Sequence, residues 1–165
     1  MGKWMNSDGL YVKFGTDEAV TTTAGTYPTM VSGQHVTELR IPALTALGTA
    51  AAIQADTTII PSGVTIARVE VVAETAATSS GSAALNIGLS RLDRSTELDY
   101  DGLVAALALT AIDAAGETTA LTKGSTGAGA LIGTKLANAG LLTADYDTAA
   151  YTAGELVVRV YWYKD

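Results

Sequence analysis

Two stretches of this chain alternate strictly enough to limit what it can fold into. In Glu155–Tyr163, Leu156, Val158, Val160 and Trp162 fall on one side of an extended backbone, and Val157, Arg159, Tyr161 and Tyr163 fall on the other. In Val64–Glu74, Thr65, Ala67, Val69, Val71 and Ala73 share a face predicted to look inward, with Arg68, Glu70 and Glu74 opposite. A strand sends successive side chains to opposite faces, whereas a helix would scatter these sets around its axis. Ala83–Ser90 repeats the pattern with Leu85, Ile87 and Leu89. His35–Ile41 does so with His35, Thr37, Leu39 and Ile41 against Val36, Glu38 and Arg40, closed by Pro42. Shorter strands are expected at Leu10–Phe14, Thr57–Ile60 and Leu141–Tyr146. Turns are expected at Asn6–Gly9, Pro61-Ser62-Gly63 and Thr78–Ser82, where Pro presets φ and Gly tolerates positive values.

The predicted fold class is therefore all-β, a β-sandwich with at most one short helix. That helix is placed in Leu103–Ala115, where Leu103 and Leu107 sit at i,i+4 and Asp101 can cap the turn. Arg91–Gly102 reads as a polar loop, and Glu117–Gly133, rich in Gly, Thr and Ala, as mostly loop. Thr21–Gly33 is expected to be irregular. With 165 residues the chain has the length of one domain. Residues 1–18 are set apart as an extended N-terminal arm and 19–165 as the sandwich domain. The arm holds Trp4, Leu10, Tyr11 and Phe14, large apolar groups that seek burial, and disordered tails are poor in aromatics. The alternative is that Leu10–Phe14 is simply the first strand of the sandwich.

Charge and composition exclude several roles. Ten Lys and Arg face seventeen Asp and Glu, for a net charge of −7. No cationic cluster is present to neutralise phosphates, so no nucleic acid partner is expected. The longest apolar run, Leu103–Ile112, is about half the roughly 20 residues a membrane helix needs, so no membrane partner is expected either. No secretory h-region is visible, and Asn6 stands where a myristoylation signal needs Ser or Thr. Synthesis in the cytoplasm follows. The absence of cysteine removes disulfides, thiolate nucleophiles and thiolate metal sites.

The motifs that carry chemistry fail on inspection. His35 is the sole histidine, and no Gly-x-Ser-x-Gly elbow accompanies it. Gly127-Ala128-Gly129 lacks the third glycine of a dinucleotide loop, since Ile132 stands there. Lys123 is followed by Gly124 rather than Ser or Thr, so no Walker loop forms. A flexible surface loop is the simpler reading of that segment. Glu97-Leu98-Asp99-Tyr100-Asp101-Gly102 begins like a calcium loop, but Ala108 occupies the place of the bidentate Glu. A calcium site of another type, from Glu97, Asp99 and Asp101, stays open beside the reading of a solvated acidic loop. Nothing selects one pair among the acids for glycoside hydrolysis. Catalytic, cofactor-binding and metal-ligating residues are accordingly expected to be none, with no cofactor and no enzyme activity. Tyr161 and Tyr163 suit a subunit interface or, less simply, a sugar platform.

The runs IIPSGVTIARVEVVAETAAT, ALNIGLS, DYDGLVAALALTA and YTAGELVVRVYWY, with the opening WMNSDGLYVKFGTDEA, resemble small virion proteins of tailed phages, of the head decoration (capsid cement) type. The likeness spans about residues 57–112 and 151–163 plus the arm, and it lies in strand and turn positions. It implies a jelly-roll-like sandwich on the outer capsid surface of a virion, the major capsid protein as partner, and a homo-oligomer, with a trimer favoured. Interface residues would be Trp4, Leu10, Tyr11, Phe14, Tyr161 and Tyr163. The alternative is a carbohydrate- or receptor-binding β-sandwich of a phage head or tail fibre. Residues 113–150 match nothing in the pattern.

Overall fold

The computed structural model of the protein describes residues 33–49 and 58–164, with the backbone of three two-residue strands at 4–5, 11–12 and 52–53. The chain divides into two compact units, Met1–Ser32 and Gly33–Asp165. In the first, β1 (Trp4–Met5) runs antiparallel to β2 (Tyr11–Val12), with Trp4 opposite Val12 and Met5 opposite Tyr11. The expected strand Leu10–Phe14 is represented by β2; Leu10 and Phe14 lie outside the described residues.

The second unit is an all-β sandwich of two antiparallel sheets. Its strands are β3 (His35–Ile41), β4 (Ala52–Ile53), β5 (Ile59–Ile60), β6 (Val64–Ser79), β7 (Ala84–Ser90), β8 (Glu97–Ala108), β9 (Thr118–Leu121), β10 (Gly140–Asp147) and β11 (Tyr151–Lys164). One sheet has the order β3-β11-β6-β9. The other has the order β4-β10-β7-β8, with β5 pairing to β10 at Gly140 and Leu141. From β6 onward the chain changes sheet at nearly every step, and only β7 and β8 are consecutive neighbours.

Hydrophobic burial between the sheets holds them together. Leu39 and Ile41 of β3, Val69 and Val71 of β6, and Leu156, Val158 and Val160 of β11 are fully buried. They belong to one cluster with Leu85, Ile87 and Leu89 of β7, Leu103 and Val104 of β8, and Leu142 and Ala144 of β10. Of the sets read from the alternation, Leu39 and Ile41 of β3, Leu85, Ile87 and Leu89 of β7, and Leu156, Val158 and Val160 of β11 are buried; His35 is exposed, Thr37 and Trp162 are half-buried, and Val157 of the opposite set is buried as well.

β6 pairs irregularly with β11 at four places, and one of them shifts its buried face. Tyr161 pairs with Arg68 but Trp162 pairs with Ile66, so β6 carries one extra residue at this point, a β-bulge. On the early side of it Val64 and Ile66 join the apolar core, Thr65 is buried but outside that cluster, and Ala67 is only half-buried. From Val69 onward the expected face holds. The strand also runs on to Ser79, into the stretch expected to turn.

The predicted helix at Leu103–Ala115 is not formed. Glu97–Ala108 is strand β8, followed by a single 3-10 turn at Leu109–Ala111; another lies at Leu44–Ala46, and the described residues contain no α-helix. Asp101 therefore caps nothing, and only Arg91–Thr96 of the expected polar loop turns the chain. The cause is irregular pairing. Between the Leu85↔Leu107 and Leu89↔Asp99 pairs, β7 advances four residues (85 to 89) and β8 eight (107 to 99). Surplus residues of this kind destroy a period of two. Glu117–Gly133 is also more ordered than expected. Thr118–Leu121 is strand β9, pairing with Val69–Val72, and the glycine-rich segment after it is a bonded bridge between the sheets. On one side Gly129 N–H donates to the Leu103 carbonyl (3.1 Å) and Leu131 N–H to that of Gly102 (2.8 Å). On the other, Gly133 N–H donates to Ile66 (2.7 Å) and Leu136 N–H to Val64 (2.8 Å). Ile132 and Leu136 are buried beneath it.

Candidate functional site

Two surfaces carry the residues to which the sequence draws attention. The first is the outer face of the four-stranded sheet, where strand register lines side chains into rows. Val36, Tyr161 and Arg68 form one row, and Glu38, Arg159, Glu70 and Ala120 the next. Arg40, Val157, Val72 and Thr118 form a third. Opposite charges meet within and between rows. Arg159 Nε donates to Glu38 Oε2 at 3.1 Å, Arg68 Nη1 lies 2.8 Å from Glu70 Oε1, and Arg40 pairs with the Glu74 carboxylate. The Tyr161 hydroxyl donates to Glu70 Oε2 at 2.6 Å, and the Arg68 guanidinium sits 4.0 Å above the Tyr161 ring. The hydrogen bond to Glu70 raises the Tyr161 pKa. Such cross-strand pairs fix register more than they add stability, because they are exposed and screened. Tyr163 lies on the same strand, half-buried, opposite Thr65.

Trp162 points the other way and packs half-buried against the core. Its indole N–H donates to Thr37 Oγ1 at 2.9 Å, and its ring stacks on His35 with centroids 4.5 Å apart. The lone histidine is thus a stacking partner at the end of the sandwich.

The second surface is the outer side of the five-stranded sheet, where β8, β10 and the Arg91–Thr96 turn gather carboxylates around β7. The Arg91–Thr96 turn is built on Asp93, whose Oδ1 accepts from the Ser95 and Thr96 amides (2.9 Å each) and whose Oδ2 accepts from the Thr96 hydroxyl (2.8 Å). Those donors hold its pKa down at about 2. Asp99 behaves oppositely. Burial, then its hydrogen bond to Asp101, pushes it up to about 6. A Cβ on Gly102 would stand 2.7 Å from Asp99 Cγ and 2.6 Å from Leu131, so glycine is required for the carboxyl to lie there. Asp145 on β10 is 8% exposed, and its Oδ1 has no hydrogen-bond partner. Burial raises its pKa, the Asn86 side chain opposes the rise, and Asp147 and Asp101 add to it. Asn86 Nδ2 donates to Asp147 Oδ2 (2.9 Å), while its Oδ1 accepts from Ala106 N–H (2.8 Å), where the chain bulges with φ of 50°.

The structure keeps Glu97, Asp99 and Asp101 on one strand. Among the described residues, however, no three or more His, Asp or Glu side chains are arranged to hold a metal ion. No described helix is long and apolar enough to cross a membrane. Of the six expected interface residues, Tyr161 and Tyr163 share the charged outer face. Trp4 and Tyr11 lie in the β1–β2 hairpin, and Leu10 and Phe14 lie outside the described residues. Asn86 and Asp145 escaped the sequence reading. The available signal was an amide in the outward phase of ALNIGLS and an acid in the apolar run before Tyr146.

No protein-family model and no curated protein matches the chain. Solved structures do match it. A chain of the Cyanophage Pam1 capsid asymmetric unit aligns with a TM-score of 0.53 and 17% identity, over 91% of this chain and 98% of that one. The capsid of Ralstonia phage GP4 contains a chain with a TM-score of 0.54 and 13% identity, over 86% and 91%. A third, from the acidic stable capsid structure of Helicobacter pylori bacteriophage KHP30, gives 0.52 and 13%, over 81% and 90%. The likeness is one of fold. It covers nearly the full length of each capsid chain, so what is shared is the whole sandwich rather than one hairpin.

Proposed function

We propose that this protein is a non-enzymatic structural component of a phage virion that decorates the outer capsid surface and stabilises it through protein–protein contacts. The observation that carries this reading is the alignment of one sandwich with chains from three phage capsids. The strand order β3-β11-β6-β9 against β4-β10-β7-β8 is, in our reading, that of a jelly roll, an architecture common among capsid domains. Its partner would be the major capsid protein, and its working form a homo-oligomer, with a trimer favoured. Residues 1–18 would serve as the attachment arm, anchored by Trp4, Leu10, Tyr11 and Phe14, since large aromatics are the usual interface anchors. Tyr161 and Tyr163 would add contacts from the sandwich.

A sugar-binding role would call for an open aromatic platform. The Trp162 indole is instead engaged by Thr37 and His35, and Tyr161 by Glu70 and Arg68. The decisive experiment is co-sedimentation with capsids lacking this protein, using the full chain and a variant deleted of residues 1–18. The expected result is saturable binding by the full chain and loss of binding, with an unchanged melting temperature, in the deletion. Absence of binding by the full chain would reject the decoration role. Binding by the deletion would reject the arm.

A further inference from the structure

Strand β3 leaves one side of its backbone open. It pairs with β11 on one side and with no described strand on the other. The remaining sheet edges are short or covered. β9 has four residues, and β4 and β5 have two each. β8 is bonded to the glycine-rich bridge: Ala105 N–H donates to Gly127 (2.9 Å), Gly129 N–H to Leu103 and Leu131 N–H to Gly102. β3 keeps seven residues, and along such an edge alternate residues turn an N–H and a C=O outward, ready for another strand.

Natural edges often carry charges, above all lysine, that discourage a second strand. β3 instead carries two charges of opposite sign, Glu38 and Arg40, two residues apart on its outer face. Both are paired within their own sheet, Glu38 with Arg159 and Arg40 with Glu74, yet their side chains remain 45% and 58% exposed. Val36, on the same face, is 51% exposed.

We propose that β3 pairs antiparallel with β3 of a second copy about a two-fold axis, joining the two four-stranded sheets into one continuous sheet. Registers that keep the core faces of both copies on the same side differ by two residues. Setting Glu38 against Glu38, or Arg40 against Arg40, brings like charges together, which is destabilising. The register between them sets Leu39 against Leu39 and places Glu38 opposite Arg40 of the second copy. A two-fold contact is isologous, so this pair forms twice. The outer row Glu70, Arg159, Glu38 then continues into Arg40 of the second copy, alternating in sign across the seam. Val36 comes to lie beside Pro42 of the second copy, which has no N–H to carry the ladder further. This contact goes beyond the capsid reading and does not rest on it. A ring of three would close through another surface, because a two-fold contact makes pairs.

Sedimentation equilibrium of the full chain at rising concentration tests this. The expected result is a doubling of mass with concentration, weakened by high salt. Glu38→Arg should weaken the association at least several-fold, and adding Arg40→Glu to it should restore most of the loss. A wild type that never doubles, or one whose doubling Glu38→Arg leaves unchanged, overturns the proposal. Both substitutions also break ion pairs within their own sheet, so a crosslink provides a second measure. The chain has no cysteine, so every disulfide formed is an engineered one. Oxidising a mixture of Glu38→Cys and Arg40→Cys chains should link them, because opposed Cα atoms stand about 4.5–5.5 Å apart, within disulfide reach. Either variant alone should link far less, its two cysteines lying on a diagonal of about 7–8 Å. Linking of one variant alone as readily as the mixture overturns the register. A monomer whose β3 amides all resist hydrogen exchange also overturns the proposal, giving the edge to another segment of the same chain.

Discussion

The Tyr151 hydroxyl is buried with no hydrogen-bond partner, its ring edge-on to Tyr146 at 6.2 Å, and burial pushes its pKa up to about 12. An unsatisfied buried polar group costs about 1–3 kcal/mol, so Tyr151→Phe is expected to leave stability unchanged or raise it in denaturant melts. Trp162 contributes packing, one hydrogen bond and a stack, but it is only half-buried. Trp162→Ala should therefore cost about 2 kcal/mol, below the roughly 3–5 typical of a fully buried tryptophan. The sequence placed Trp162 on the correct face; it lies opposite His35, where β3 begins, and alternation alone does not report where a neighbouring strand begins. Asn86 was illegible for a related reason. Its role comes from the bulge at Ala106 on a neighbouring strand, and nothing local marks it.

At the level of single elements, β3, β7 and the later part of β11 were readable because Leu39 and Ile41, Leu85, Ile87 and Leu89, and Leu156, Val158 and Val160 each keep one phase; three of the four irregularities in the pairing of β11 with β6 lie before Leu156, and at the fourth the extra residue is in β6. β8 was not, because its surplus residues interrupt the phase and leave Leu103 and Val104, adjacent in sequence, both fully buried. An apolar run without alternation reads as readily as a helix. The glycines mark what the pattern hides. Gly88 and Gly129 both have negative φ; what they lack is room for a side chain, each facing backbone at 2.1 Å. Gly88→Ala is expected to destabilise by about 1–3 kcal/mol or more through displacement of segment 99–103, read as a lower denaturation midpoint. Gly63, in the Pro61-Ser62-Gly63 turn, has the opposite character: φ is 75° and space around it is open, so Gly63→Ala is strained by conformation alone.

For the molecule as a whole, the displaced acids set how stability follows pH. Asp93 has a depressed pKa, so its contribution is present above about 3.8 and is lost as pH falls through about 2. Asp99 has a raised pKa, so the folded state binds its proton more tightly and stability rises as pH falls from about 6 toward 3.8. The melting temperature is therefore expected to peak on the acid side of neutrality, in calorimetric scans at graded pH, with Asp99→Asn flattening the upper limb. Two-sheet architecture and the inward faces of three strands could be read from sequence. The way the strands are shared between sheets could not, because pairings such as Trp162 with His35 join residues far apart along the chain. Such non-local pairing predicts refolding over milliseconds to seconds in stopped-flow measurements. One consequence belongs to the cell's own assembly line. β11 lies between β3 and β6 yet follows both in the chain, so on the ribosome the two earlier strands emerge with their shared neighbour still untranslated. A nascent chain must keep those two open edges from pairing with another chain until translation reaches β11, and a chaperone that shields exposed strands would act during that interval.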